Sequence, residues 1–392
     1  MLDRIACGDI PRKHHVAARS ADGALRYEEC LTRAGFDGPY SILYHEHRPH
    51  ALLEADTPHT CASLHLDAPA PTLRRRHFRT GQLLPARFPI DARTPLLHNA
   101  DVTIGAQRVT DSDPVYFVNA DADELLFVHE GQGSVRSVFG ELSFARYDYV
   151  CIPKGVLHRV IVQAPGAWLL RIECRGGLGI PKQFRNEVGQ LRMDAPYCHR
   201  DFRRPVFAGP VDEGLRELVI KRGDVHHGFR SEHSPLDVVG WDGSVYPWAF
   251  PIAAFQPRVS SVHLPPTWHG TFAARGALIC SFVPRPLDFA ADAVPCPYPH
   301  SSVDVDEVLF YASGEFGSRS GIEAGSVTLH PAGIPHGPHP GRYERSADPS
   351  TRAKSTDELA VMLDCYTPLA VTAQASHIED PSYDGSFTDD RQ

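Results

Sequence analysis

The decisive stretch reads His300-Ser-Ser-Val-Asp-Val-Asp-Glu307-Val-Leu-Phe-Tyr-Ala-Ser-Gly314, and resumes as Gly325-Ser-Val-Thr-Leu-His330-Pro331-Ala-Gly333-Ile-Pro-His336. Its apolar segments are short and strand-like, and they are cut by glycine turns. Glu307 sits in an otherwise apolar strand, where an unpaired buried carboxylate would cost several kcal/mol. A divalent cation is a natural compensation. His300, Glu307 and His336 together form the inventory of a two-histidine, one-carboxylate site, which leaves open positions on the metal.

The same pattern occurs earlier in the chain. Asp121-Ala-Asp-Glu124-Leu-Leu-Phe127 matches Asp304-Val-Asp-Glu307-Val-Leu-Phe310, and Pro153-Lys-Gly155-Val-Leu-His158 matches Pro331-Ala-Gly333-Ile-Pro-His336. Each glutamate is followed seven residues later by a glycine, Gly131 and Gly314. The order of strand, turn and corner, repeated, implies two copies of one β-unit. These spacings resemble the two signature motifs of the cupin superfamily. That resemblance implies small antiparallel β-barrels of jelly-roll type, with a metal in the mouth of one. The copies differ. Phe117 stands where the second copy has His300, and Tyr147 stands where it has Gly325. The N-terminal copy is therefore expected to be degenerate and without metal, with Glu124 and His158 as residual polar groups. A second metal there is the alternative.

Working outward, 392 residues with 34 prolines and 31 glycines favour a β-rich, turn-rich protein with a sizeable core. The boundaries expected are a mixed segment over 1–95, the first barrel over 96–175, a connector over 176–245, the second barrel over 246–370 and a loose tail over 371–392. A short helix is expected at Val211–Arg222. The formal charge of −9 carries no nucleic-acid footprint. No long apolar run suggests a leader or a membrane span, so a cytoplasmic protein is expected. Nine scattered cysteines without a C-x-x-C pair argue for free thiols.

Further residues carry a narrower likeness. The run from Ser234 to Trp248, the motif Ser326-Val-Thr-Leu-His330…His336-Gly-Pro and the opening Gly8-Asp-Ile-Pro-Arg-Lys-His-His resemble the homogentisate 1,2-dioxygenase family. That resemblance implies an Fe(II) enzyme that opens homogentisate (2,5-dihydroxyphenylacetate) with O2 to maleylacetoacetate, in tyrosine and phenylalanine breakdown. It implies His300, Glu307 and His336 as iron ligands. His330 and His263 become the candidate acid/base groups, and His330, Phe316 and His339 candidate substrate contacts. It also implies a homo-oligomer, trimeric or hexameric. Phe316 stands where the family has a substrate-binding tyrosine, so a related acid such as gentisate stays open as substrate. Mn2+ in place of iron, a non-enzymatic metal- or ligand-binding cupin and an O2-independent isomerase stay open too.

Overall fold

The computed structural model describes residues 3–14, 18–32, 39–48, 52–54, 72–223, 225–262, 264, 266–291, 293–295 and 304–387. Among these, two antiparallel seven-stranded sheets follow one plan. The first runs Trp248–Pro251, Asp148–Ile152, Asp123–Glu130, Ala167–Cys174, Val102–Val109, Thr94–His98, Ala370–Val371. The second runs Arg76–Arg79, Ser326–His330, Asp306–Ser313, Leu359–Cys365, Ala277–Phe282, Gly270–Ala274, Leu178–Gly179. Place by place, the two orders correspond, so the repeat read in the sequence is a repeat in structure. The protein is mainly β, built from two cupin-type units.

The ends of each sheet are exchanged. Arg76–Arg79 precedes the first unit in the chain but edges the second sheet, beside Ser326–His330. Trp248–Pro251 precedes the second unit but edges the first sheet, beside Asp148–Ile152. At the other ends, Leu178–Gly179 pairs with Gly270–Ala274, and Ala370–Val371 pairs with Thr94–His98.

The central strands are rich in Val, Ile, Leu and aromatic residues, which suit a pleated buried surface. Ala167–Cys174 is buried at every position, and Asp306–Ser313 at every position but its last. Both faces of these strands are thus covered. One shared core joins the two sheets, with the Phe127 and Phe310 rings edge to face at 5.9 Å and Tyr149 against Phe272 at 5.3 Å.

The units differ on their outer sides. In the first, a second sheet (Gly140–Phe144, Gly133–Ser137, His158–Val162, Tyr116–Asn119, Glu217–Arg222, Val225–Ser231, Leu52–Glu54) closes over its own core. In the second, the described residues on that side form only the pair Arg285–Pro286 with Ser355–Thr356 and the short helix Arg342–Ala347. This open side leads to the site.

Three expectations are corrected. Val211–Arg222 holds no helix; Glu217–Arg222 is a strand, because Leu218 and Val219 reach the core of the first unit. The connector 176–245 is not a separate piece: Glu217–Arg222 and Val225–Ser231 complete the first unit, Leu178–Gly179 edges the second sheet, and Val238–Gly243 joins Ile5–Gly8, Tyr40–His45 and Tyr27–Thr32 in a four-stranded sheet. The described part of the expected loose tail is packed. Ala375, Ile378 and Tyr383 are buried, while Glu379 pairs with Arg74 and Arg76 and Asp380 with Arg79. Through these pairs the segment expected to be loose is tied to the edge strand Arg76–Arg79 of the second sheet.

Candidate metal centre

Glu307 is the second residue of Asp306–Ser313, and the register sets it directly across from His330 on Ser326–His330. Directly opposed residues on neighbouring strands bring their side chains together. The chain then turns through Pro331-Ala-Gly333, where Gly333 takes φ +83, a backbone region that favours glycine. The turn returns His336 to the same point. Asp306 fixes this corner: one carboxylate oxygen accepts from the Ala332 amide at 2.7 Å and the other from the Leu369 amide at 2.8 Å. Asp123 does the same in the first unit, accepting from Lys154 at 2.7 Å and Leu178 at 2.6 Å.

His330 Nδ1 lies 2.8 Å from Glu307 Oε1, and His336 Nε2 lies 3.5 Å from the same oxygen. The two imidazoles stack at 4.6 Å. One donor atom from each of Glu307, His330 and His336 lies within 4.8 Å of the others, and all three residues are buried. Burial pushes His330 down to about 3, although Glu307 favours its charge, so the imidazole is neutral near pH 7. A carboxylate can only accept, so Nδ1–H donates to Glu307, and Nε2 accepts from the Tyr383 hydroxyl at 3.1 Å. Burial also raises the Tyr383 phenol, which keeps its proton. Two imidazoles and one carboxylate, converging and buried, fit a divalent metal ion.

Beside the centre opens a cavity of about 620 Å³, with Glu307, Tyr311, Arg319, His269, Phe282 and Met362 in its wall. Glu307 and His336, read in the sequence as metal ligands, and His330, read as an acid/base candidate, thus lie together. His300 and His263 lie outside the described residues, although Leu264 lines the cavity. Phe316 packs against Tyr311 at 4.8 Å, within a small apolar cluster. His339 is held between the Ser320 amide at 3.0 Å and the Ser386 hydroxyl at 3.4 Å, tying the loop before the second corner to the chain's end. Neither residue is in the cavity wall. Sequence reasoning missed Tyr383, Arg319 and Tyr311. It also passed over Asp306, though the repeated Asp-Glu pair was a signal for it.

The equivalent point of the first unit is built differently. Glu124 accepts from Asn119 at 2.8 Å and from Arg93 at 2.9 Å, and it also pairs with Arg171. Burial works against its charge, yet Arg171 and Arg93 hold it below the usual carboxylate range. Phe117 faces His158 in register, and the Arg93 guanidinium covers the Phe117 ring at 4.0 Å.

Fold and centre together define a two-unit cupin with a buried histidine–carboxylate site in its second unit. The family model "Homogentisate 1,2-dioxygenase N-terminal" matches residues 97–252. A Saccharolobus solfataricus protein described as "Putative dioxygenase" is 35% identical over 96% of this chain and 96% of its own length. The homogentisate 1,2-dioxygenase of Nitrobacter hamburgensis is 29% identical over 67% of this chain and 59% of its own length. Among solved structures, a cupin 2 conserved barrel domain protein from Leptotrichia buccalis aligns over 79% of this chain and 100% of its own, at 10% identity and a TM-score of 0.32. The chain belongs to the homogentisate 1,2-dioxygenase family of the cupin superfamily. It spans about three fifths of the length of the curated homogentisate dioxygenases it matches. Among the described residues, no helix is long and apolar enough to cross a membrane.

Proposed function

We propose that the protein is an Fe(II)-dependent ring-cleaving dioxygenase that opens homogentisate with O2 to maleylacetoacetate. The observation that carries this reading is the convergence of Glu307, His330 and His336, with Glu307 in the wall of a cavity of about 620 Å³. That volume falls in the range of small-ligand sites. Glu307, His336 and His300 are the proposed ligands. The repeat supports His300, because its counterpart Phe117 faces His158, the counterpart of His336.

The iron, when bound, supplies a template for substrate and O2 and a path for electrons between them. The chain's own residues do the rest. Glu307 is held by the His330 Nδ1–H, which fixes the orientation of its carboxylate. His330, kept neutral by burial, can accept a hydrogen bond at Nε2 from a ring hydroxyl that displaces the Tyr383 contact, and is one candidate for the acid/base role. His263 is the second candidate for this role. Phe282, Met362 and Leu309 give the cavity an apolar wall that suits a ring and excludes water.

Phe316 favours a second reading, ring cleavage of a related acid such as gentisate, because a hydroxyl expected from the family is absent there. Anaerobic Fe(II) loading followed by oxygen uptake with homogentisate, gentisate and 3,4-dihydroxyphenylacetate separates the readings. Uptake with homogentisate and a ring-opened product is expected. Uptake with gentisate alone would favour the second reading, and none with any acid would remove both. The family likeness also carries a cytoplasmic homo-oligomer, trimeric or hexameric; a monomer in light scattering would remove that part.

A further inference from the structure

Arginines are numerous around the cavity, and almost all have another occupation. Arg285 pairs with Glu358 at 3.3 Å. Arg352 donates to the Ala290 and Ala293 carbonyls at 3.3 and 2.9 Å. Arg258 lies over the Trp268 ring at 4.7 Å, Arg342 reaches the Ser320 hydroxyl at 3.4 Å, and Arg345 is exposed.

Arg319 is different. It is only 8% exposed, yet it lies in the cavity wall together with Glu307. One Nη donates to the carbonyl of Gly337, the residue after His336. The guanidinium lies near the Tyr311 and Tyr383 hydroxyls and feels the Glu307 carboxylate, and among the described residues its Nε has no hydrogen-bond partner. Among the described residues, no carboxylate is within ion-pair distance. A buried guanidinium without a contacting counter-ion is costly, and neither the Gly337 carbonyl, the Tyr311 hydroxyl nor the Phe387 ring at 5.8 Å supplies one.

Charge balance points the same way. A divalent ion held by the Glu307 carboxylate would keep one net positive charge, and Arg319 adds a second. A ligand carrying a phenolate and a carboxylate would neutralise both. We propose that Arg319 anchors the carboxylate of an aromatic acid substrate in this cavity, and so selects acids over neutral phenols of the same shape. A guanidinium fork suits this task, since it meets a carboxylate with two parallel hydrogen bonds. This assignment rests on the aromatic-acid reading of the site but not on ring cleavage itself.

The test is anaerobic calorimetry on the full chain, metal-free and after loading with redox-inert Zn2+. The probes are 2,5-dihydroxyphenylacetate and its uncharged analogue 2-methylhydroquinone. Wild type is expected to prefer the acid. Arg319→Met should weaken the acid by roughly 10- to 100-fold while leaving the analogue and the metal content unchanged. Arg319→Lys keeps the charge but loses the fork, so it should fall between them. It also serves as the reading if the methionine variant does not fold.

Equal weakening of acid and analogue would make Arg319 a loop support only, and overturn the proposal. Acid preference unchanged in the variants, or missing in wild type, would overturn it as well. If the acid preference depends on Arg319 but no acid drives oxygen uptake, the anchor stands and ring cleavage falls. If wild type opens rings but Arg319→Met keeps the acid's affinity, the anchor falls and ring cleavage stands.

Discussion

Glu124 and Glu307 occupy the same place in the two units: second residue of the central strand, buried, and followed by a glycine corner. Each needs a positive partner. In the first unit the partners are Arg93 and Arg171, permanent cations that come with the chain. In the second unit, among the described residues, His330 and His336 lie against Glu307, and His330 is held uncharged by burial. The same fold thus meets one electrostatic demand in two ways. One unit surrounds its glutamate with arginines, and the other sets histidines against it, the set that the proposed function gives to an ion.

The sharpest break of this comparison is removal of each carboxylate. Glu307→Ala or His336→Ala should abolish retention of iron and oxygen uptake, by elemental analysis and an oxygen electrode. Glu124→Ala should leave the metal content unchanged but cost about 3–5 kcal/mol in denaturant unfolding, because two buried guanidinium groups lose their counter-charge. If Glu124→Ala instead lost an equivalent of metal, the first unit would be a metal site and the contrast would collapse.

The next test couples the partners. Glu124→Gln combined with Arg171→Met should be milder than the sum of the single changes, by about 1–3 kcal/mol in a double-mutant cycle. Additive losses would show that the pair is not the unit of compensation.

Acid should find the first unit's histidine next. Burial pushes His158 down to about 4, against the favourable pull of Glu124. The unfolded imidazole takes a proton near pH 6.5, so the unfolded chain binds more protons between these values. Stability is therefore complete above about pH 6.5 and is lost as pH falls toward 4. His158→Gln should remove about one proton from that slope in unfolding curves from pH 7 to 4. An unchanged slope would place the acid sensitivity elsewhere.

The smallest effect separates the two corner clamps. Asp123→Asn and Asp306→Asn should each cost about 1–2 kcal/mol, as one backbone amide loses its acceptor. Only Asp306→Asn should also weaken metal binding, by about 10-fold, since it positions a ligand loop. Equal metal affinity in both variants would mean that the corner holds His336 without Asp306.

Much of this was legible in the residues. The repeat, the Glu307–His336 spacing and the corners were visible because they are local: Gly131, Gly155, Gly314 and Gly333 all take positive φ. Tyr147 shows how far sequence can drift while the backbone stays. At φ +70 it keeps the conformation of its counterpart Gly325, and its amide bonds Val128 O as that of Gly325 bonds Tyr311 O. What escaped was non-local. Tyr383 reaches His330 from a segment whose acidic character suggested solvent. Arg319 gains its meaning from a cavity no spacing reveals. Val211–Arg222 was misread because a short apolar run looks alike in helix and strand until its partner is known.

The exchanged edge strands bear on how the chain comes to exist at all. Arg79 pairs with Ser326, and Ala370 with His98, so sheets in both halves are completed only by residues from the far end of the chain. Closing such long loops precedes the contacts that reward it, which makes folding slow and collective. Neither unit released alone would carry its full sheet. A gene cut between the two would be expected to yield two insoluble halves, each with a sheet edge that the other should cover.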